Sequence, residues 1–182
     1  MALLRRALPF VALLGAGRAL AAQTTRAPEY QVKAVFLFTF AQFVDWPADA
    51  FPASDAPLVI CVLGDDPFGP FLDQTVANER LRGRPFQVRR YQRVDPIPTC
   101  HILFISRSTA DRPEAILAGL KHRPIVTVSD ADDFAKRGGM IRFVTDRNRI
   151  RLQLNLAATA AAHLTISSKL LRVAEIIPRT GS

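Results

Sequence analysis

Two cysteines, three histidines and one tryptophan among 182 residues leave little material for a metal centre or an imidazole-based catalytic site. His101, His122 and His163 lie far apart, with no H-E-x-x-H or cysteine-histidine cluster, so no metal ligand set is expected. The G-x-S-x-G elbow of a serine hydrolase is missing, and neither cysteine has a context that would activate a thiol. No catalytic residue and no cofactor is therefore expected. The stretch from Cys61 to Gly69, CVLGDDPFG, resembles a phosphate loop in outline, but it contains neither G-x-G-x-x-G nor G-x-x-x-x-G-K-[ST]. Asp65 and Asp66 would repel a phosphate. The segment reads instead as a strand end, a turn through Pro67 and an aspartate capping the next helix. Asp130, Asp132 and Asp133 crowd together, yet a calcium loop needs glycine at its sixth position and glutamate at its twelfth, where this one has Ala135 and Ile141. Helix capping accounts for these aspartates.

A long uninterrupted apolar run is also lacking. A membrane span needs roughly 20 apolar residues, and Arg18 interrupts the first candidate, Ala7 to Gly17, after eleven. What remains has the parts of a signal peptide: Arg5 and Arg6 as a positive n-region, Ala7 to Gly17 as the apolar h-region, and Ala19-Leu20-Ala21 as the cleavage site. Cleavage after Ala21 would leave 161 residues, the size of one domain. It would also remove three arginines and no acid, lowering the net charge from +8 to +5. Such a mild excess suits a solvated surface, or an anionic membrane or acidic partner. Nucleic acid is not expected as a partner of an exported chain.

After a disordered leader (residues 22–28), a first helix is expected from Glu29 to Trp46, stopped by Pro47. On its wheel Phe36, Phe40 and Phe43 gather on one side, while Phe38 falls in the stripe of Gln31, Thr39, Gln42 and Asp45 and is a candidate partner contact. From Pro57 onward strands and helices alternate: strand Leu58–Leu63, helix Phe68–Ala77, strand Phe86–Val94, strand His101–Ile105, helix Pro113–Lys121 and strand Ile125–Val128. A short helix Ala131–Arg137 follows, capped by Asp130 and ended by Gly138-Gly139. Met140–Val144 and Arg149–Leu154 flank a polar turn and read as a hairpin. A helix Leu156–His163 and a last helix from the N-cap Ser167 through Ile177 close the chain. The fold class is α/β: a three-layer α/β/α sandwich with a mostly parallel central sheet and a C-terminal antiparallel hairpin, forming one domain over residues 29–178.

Cys61 and Cys100 each lie in or beside a central strand of an exported chain, where disulfides persist. If those strands are neighbours the sulfurs can meet, and two buried thiols are the alternative.

Six segments, in order, carry a resemblance: Glu29-Tyr30-Gln31-Val32-Lys33-Ala34 with Phe43-Val44-Asp45-Trp46-Pro47; Ile60 through Gly69; Cys100-His101-Ile102-Leu103-Phe104-Ile105-Ser106; Gly138-Gly139-Met140-Ile141; Asn155-Leu156-Ala157; and Ile166-Ser167-Ser168-Lys169-Leu170-Leu171. The chain resembles the YfiR-like family of periplasmic proteins from about residue 29 to 177. The resemblance implies a periplasmic regulator that forms a homodimer and restrains an inner-membrane diguanylate cyclase by engaging its periplasmic sensor domain. It also implies a disulfide between Cys61 and Cys100, and it makes Gln153, Asn155, Ser167 and Lys169, beside Phe38, the candidate partner- or ligand-binding positions. Two departures stand out: Phe38-Thr39 replaces a Tyr-Asn pair, and Gln153 replaces a glutamate, which removes a charge-assisted partner for a cationic group. The runner-up function is a small-molecule-binding module, accessory to a transporter or sensor kinase, with its ligand in a crevice at the carboxyl ends of the strands.

Overall fold

The structure is a computed structural model that describes residues 17–93, 97–109, 111–147 and 149–178, with side chains from residue 28 onward. Most of the expected signal peptide therefore lies outside the described residues. Leu58–Leu63 (β2) is a continuous apolar run, and all six of its residues are buried. Such a run fits a central strand covered on both faces. Leu58, Ile60 and Val62 enter one hydrophobic cluster, and Val59, Cys61 and Leu63 enter another. Ile102–Ile105 (β5) alternates in the same way, so two cores sit on opposite faces of one sheet.

The first face is covered by Gly17–Phe43 (α1) and Pro70–Val76 (α2), whose Ala34, Leu37, Phe40, Leu72 and Val76 join its core. The second is covered by Pro113–Gly119 (α3), through Ile116, and by Phe134. This is the expected three-layer arrangement. The remaining strands are Arg80–Leu81 (β3), Arg84–Tyr91 (β4), Val126–Ser129 (β6), Ile141–Asp146 (β7), Arg149–Leu154 (β8) and Ala174–Ile176 (β10). Eight strands run in the order β10-β8-β7-β6-β5-β2-β4-β3. The pairings β2 with β4, β2 with β5, β5 with β6, β6 with β7 and β8 with β10 are parallel, and the β7–β8 hairpin is antiparallel. A second, two-stranded sheet joins Val44–Asp45 (β1) to Thr165–Ile166 (β9).

Three local expectations are corrected. The segment expected as a helix from Ala131 to Arg137 forms successive turns, because Asp133 takes a φ of 55°, a left-handed conformation that cannot continue a right-handed helix. The last helix is only Ser168–Leu171 (α5), and the chain then becomes β10, since the open edge of β8 offers backbone partners such as the Leu154 carbonyl to Ile177 N–H at 2.9 Å. The first helix stops at Phe43, and β1 replaces its expected final turn. At its other end, backbone helix extends through residues 17–28, ahead of the Glu29 start read from the sequence.

Cys61 lies in mid-β2 and Cys100 just before β5, with a Cα–Cα distance of 6.1 Å and a disulfide between them. Adjacent parallel strands bring together two residues 39 positions apart. His101, next to the bridge, is buried. Its Nδ1 accepts from the Val59 N–H at 3.0 Å, so its proton resides on Nε2, which faces the Ala50 carbonyl at 3.2 Å. The ring stacks on Phe51 with centroids 4.3 Å apart. Burial pushes the His101 pKa down to about 4, opposed by the Ala50 contact.

Candidate binding crevice

Strand order dictates where the sheet opens. From β2 the chain passes through α2 to β4 on one side, then returns to place β5 on the other. The loops leaving the carboxyl ends of β2 and β5 therefore diverge, which in open α/β sheets creates a ligand-sized crevice. Here it measures about 430 Å³ and is lined by Tyr30 of α1, Asp65 and Asp66 after β2, and Ser106, Arg107 and Ser108 after β5. Gly64, at the end of β2, lets the two loops approach each other. With a φ of 87°, and with Ser108 Oγ 2.7 Å from where a Cβ would stand, this position accepts only glycine without strain. Close approach lets Asp65 N–H donate to Ser108 Oγ at 2.9 Å, tying the two loops together.

Behind the crevice wall lies a buried charge network. Asp130, immediately after β6, has a side chain only 3% exposed. Its Oδ2 accepts from Lys33 Nζ and from Tyr30 Oη, each at 2.6 Å. Lys33, 2% exposed, also meets Glu29 Oε1 at 2.6 Å, and Thr145 Oγ1 donates to that same oxygen at 2.7 Å. Arg107 donates through Nη2 to the Asp130 carbonyl at 2.6 Å and through Nε to its carboxylate at 3.3 Å. Burial acts to raise the Asp130 pKa, but the hydrogen bonds from Lys33 and Tyr30 and the nearby cations outweigh it and hold the group below the ordinary aspartate value. Glu29 is lowered in the same way, its burial outweighed by Lys33 and Thr145. Asp130 is thus a buried hub rather than the helix cap read from the sequence. Ser129 Oγ takes the local backbone role, accepting from Ala131 N–H at 3.1 Å.

The network fixes Arg107, half-exposed at the crevice mouth, in one orientation. The crevice then offers a guanidinium, two serine hydroxyls and the exposed Asp65 carboxylate to a polar molecule. These groups equip the crevice to hydrogen-bond a polar molecule, with Asp130 held ionised behind it. Among the described residues no group of three His, Cys, Asp or Glu side chains is placed to hold a metal ion.

The positions singled out from the sequence fall elsewhere. Phe38 is half-buried, not exposed, with its ring 5.2 Å from that of Phe86 on β4. Gln153 on β8 donates to Glu175 at 3.1 Å and accepts from Arg142 at 3.3 Å. Asn155 caps Leu156–Ala161 (α4), accepting from Ala158 N–H at 3.0 Å while donating to the Ala135 carbonyl at 2.9 Å. Ser167 caps α5, and Lys169 is exposed on it. Gln153 and Asn155 share the end of β8, Ser167 and Lys169 share α5, and Phe38 stands apart. None of the five lines the crevice. Tyr30, Lys33, Arg107 and Asp130 were missed as site residues; the one available signal was that Asp130 directly follows a strand and Arg107 stands two residues past another.

Within this frame, a comparison with family models is decisive: residues 30–175 match the one described as YfiR/HmsC-like. The chain belongs to the YfiR/HmsC-like family. No curated protein matches it. The match spans both faces of the sheet, the disulfide and the crevice, so the YfiR/HmsC-like unit is the whole α/β layer structure rather than a part of it. A disulfide buried in its core fits an oxidising compartment. No described helix is long and apolar enough to cross a membrane.

Proposed function

We propose that this YfiR/HmsC-like chain is an exported, non-catalytic regulator that restrains an inner-membrane signalling protein, a diguanylate cyclase, by binding its periplasmic sensor domain. The observation that carries the reading is the family match over residues 30–175. The Cys61–Cys100 bridge supports it, since a rigid exported domain suits a binding role. On this reading the mature chain starts after Ala21, works as a homodimer, needs no cofactor or metal and contacts no nucleic acid. Mass spectrometry of the periplasmic fraction tests the export step: a chain starting near Ala22 is expected, and an intact Met1 in the cytoplasm would remove the compartment from the argument. A pull-down with the mature protein from detergent-solubilised membranes tests the partner. Capture of an inner-membrane protein with a periplasmic sensor and a cyclase domain is expected, and repeated capture of nothing from the membrane would sink the reading.

The crevice favours a second reading, a small-molecule-binding module accessory to a transporter or sensor kinase. The two are compatible, because occupancy beside Tyr30 and Arg107 would bear on α1 through the Asp130 network. Metabolite screening by thermal shift separates them: stabilisation abolished by Arg107→Ala supports a ligand, whereas unaltered melting across polar metabolites supports a purely protein-binding regulator.

A further inference from the structure

One side of the eight-stranded sheet ends in an unfinished edge. β3 pairs with β4 only through Arg80 opposite Pro85 and Leu81 opposite Arg84. Past Pro85, residues 86–91 of β4 pair with β2 on their inner side and with no strand on their outer side among the described residues. The Tyr91 carbonyl accepts from Gly64 N–H at 2.8 Å, so Tyr91, Arg89 and Gln87 direct their peptide groups toward β2. By the two-residue period, those of Phe86, Val88 and Arg90 point outward. A crevice of about 510 Å³ follows this edge between β4 and the chain leaving α2, with Asn78, Arg80, Phe86 and Val88 among its walls.

The charge on the strands of this edge is of one sign, although Asp73, paired with Arg90, and Glu79 also line the crevice beside them. Residues 80–93 contain six arginines and no acid. Arg84 is committed to the Ala53 and Ala56 carbonyls, Arg90 to Asp66 and Asp73, and Arg82 to Asp45. Arg80 bonds the Gly83 carbonyl and Arg89 the Gln87 side chain. These two and the exposed Arg93 have no carboxylate partner among the described residues. Open backbone groups and unneutralised arginines therefore lie side by side.

We propose that the outer edge of β4 is a strand-addition site for an extended acidic segment of a protein partner. Such a segment would satisfy the outward amides and carbonyls of Phe86, Val88 and Arg90 and set its carboxylates opposite Arg80, Arg89 and Arg93. A second copy of this edge would set arginine against arginine. An anionic lipid surface would answer the charge but leave the backbone groups unpaired. The inference rests on the regulator reading only in taking the occupant to be protein.

The test uses the mature, oxidised protein and a synthetic peptide alternating Glu and Val, labelled for fluorescence anisotropy. Two controls accompany it, one with alternate backbone nitrogens methylated and one with Lys in place of Glu. The acidic peptide should bind, more weakly as salt is raised, and each control should bind at least about tenfold more weakly. Val88→Pro removes one outward N–H without touching the β2 ladder, and Arg89→Glu combined with Arg93→Glu reverses the charge without touching the core. Each should cost about tenfold or more in affinity, the arginine pair at unchanged melting temperature. No binding, equal binding of the methylated and plain peptides, or undiminished binding by the arginine variant overturns the proposal. So does loss of self-association in Val88→Pro without peptide, which assigns the edge to a second copy. Binding to phosphatidylglycerol vesicles that the arginine variant loses, without peptide binding, assigns it to lipid and overturns the proposal equally. Peptide binding with no membrane protein captured would count against the regulator reading while leaving the edge site standing.

Discussion

Cutting the Lys33–Asp130 pair tests the network that holds α1 on the sheet. Both side chains are almost fully buried, at 2% and 3% exposure, and their charged atoms lie 2.6 Å apart. Removing one member of such a pair costs about 3–5 kcal/mol when the other is left without compensation. Each member here keeps some compensation. After Lys33→Met, Asp130 retains Tyr30 Oη and Arg107, and Glu29 retains Thr145, so a cost near 2–3 kcal/mol is expected. After Asp130→Leu, Lys33 keeps Glu29, but Tyr30 Oη and Arg107 lose their shared acceptor, so about 3 kcal/mol or more is expected. The double variant Lys33→Met with Asp130→Leu leaves neither charge stranded and should cost about 2 kcal/mol less than the sum of the singles. Urea unfolding of the mature, oxidised protein reads these values, provided the m-value is unchanged. Singles costing under about 1 kcal/mol each, with strict additivity, would refute the view that the two charges act as a buried unit. Sign follows from the depressed Asp130 and Glu29 pKa values: their contribution is present above the ordinary carboxylate range and lost as pH falls through the folded values.

The Cys61–Cys100 bridge closes a separation of 39 residues, which on the chain-entropy account contributes about 4 kcal/mol. Reduction, or Cys61→Ala with Cys100→Ala, should lower the melting temperature by roughly 8 to 16 °C, and thiol labelling of the folded, non-reduced protein should find no free thiol; two reactive thiols would remove the bridge. His101, neutral when folded with a pKa of about 4, favours the fold fully above its unfolded value of 6.5. The wild type should lose up to about 3 kcal/mol as pH falls from 6.5 to 4, and His101→Asn, which keeps an acceptor for Val59 N–H, should be less stable but without that slope; an equal slope in both would refute the assignment. Gly64→Ala should cost more than about 1 kcal/mol in urea, because the left-handed φ and the contact with Ser108 act together, and a neutral result would mean that the two loops yield freely.

How much of this was readable in advance differs between strand and loop. β2 and β5 are short, wholly apolar runs, and burial on both faces of a parallel sheet is the arrangement that such runs satisfy, so their place in the fold was legible from composition alone. The β7–β8 hairpin was legible from its polar turn. Ala174–Ile176 was not: as an isolated segment it continues a helical pattern, and it becomes a strand because the free edge of β8 supplies the hydrogen bonds. Asp130 illustrates the same limit for function. In sequence it stands before a short polar stretch like any capping aspartate, whereas Lys33 and Tyr30, its partners, lie 97 and 100 residues earlier.

The sequence by itself determined the α/β class, the two buried faces, the cysteine pair and the family, because each of these is written in local periodicity or in ordered segments. Only the tertiary structure decided where the sheet opens and which charges meet there. A crevice exists because the connections leaving β2 and β5 run in opposite directions, and that is a property of strand order. A charge network exists because α1 lies across the carboxyl end of β6, which excludes water and makes a lysine, two carboxylates and a phenol dependent on one another.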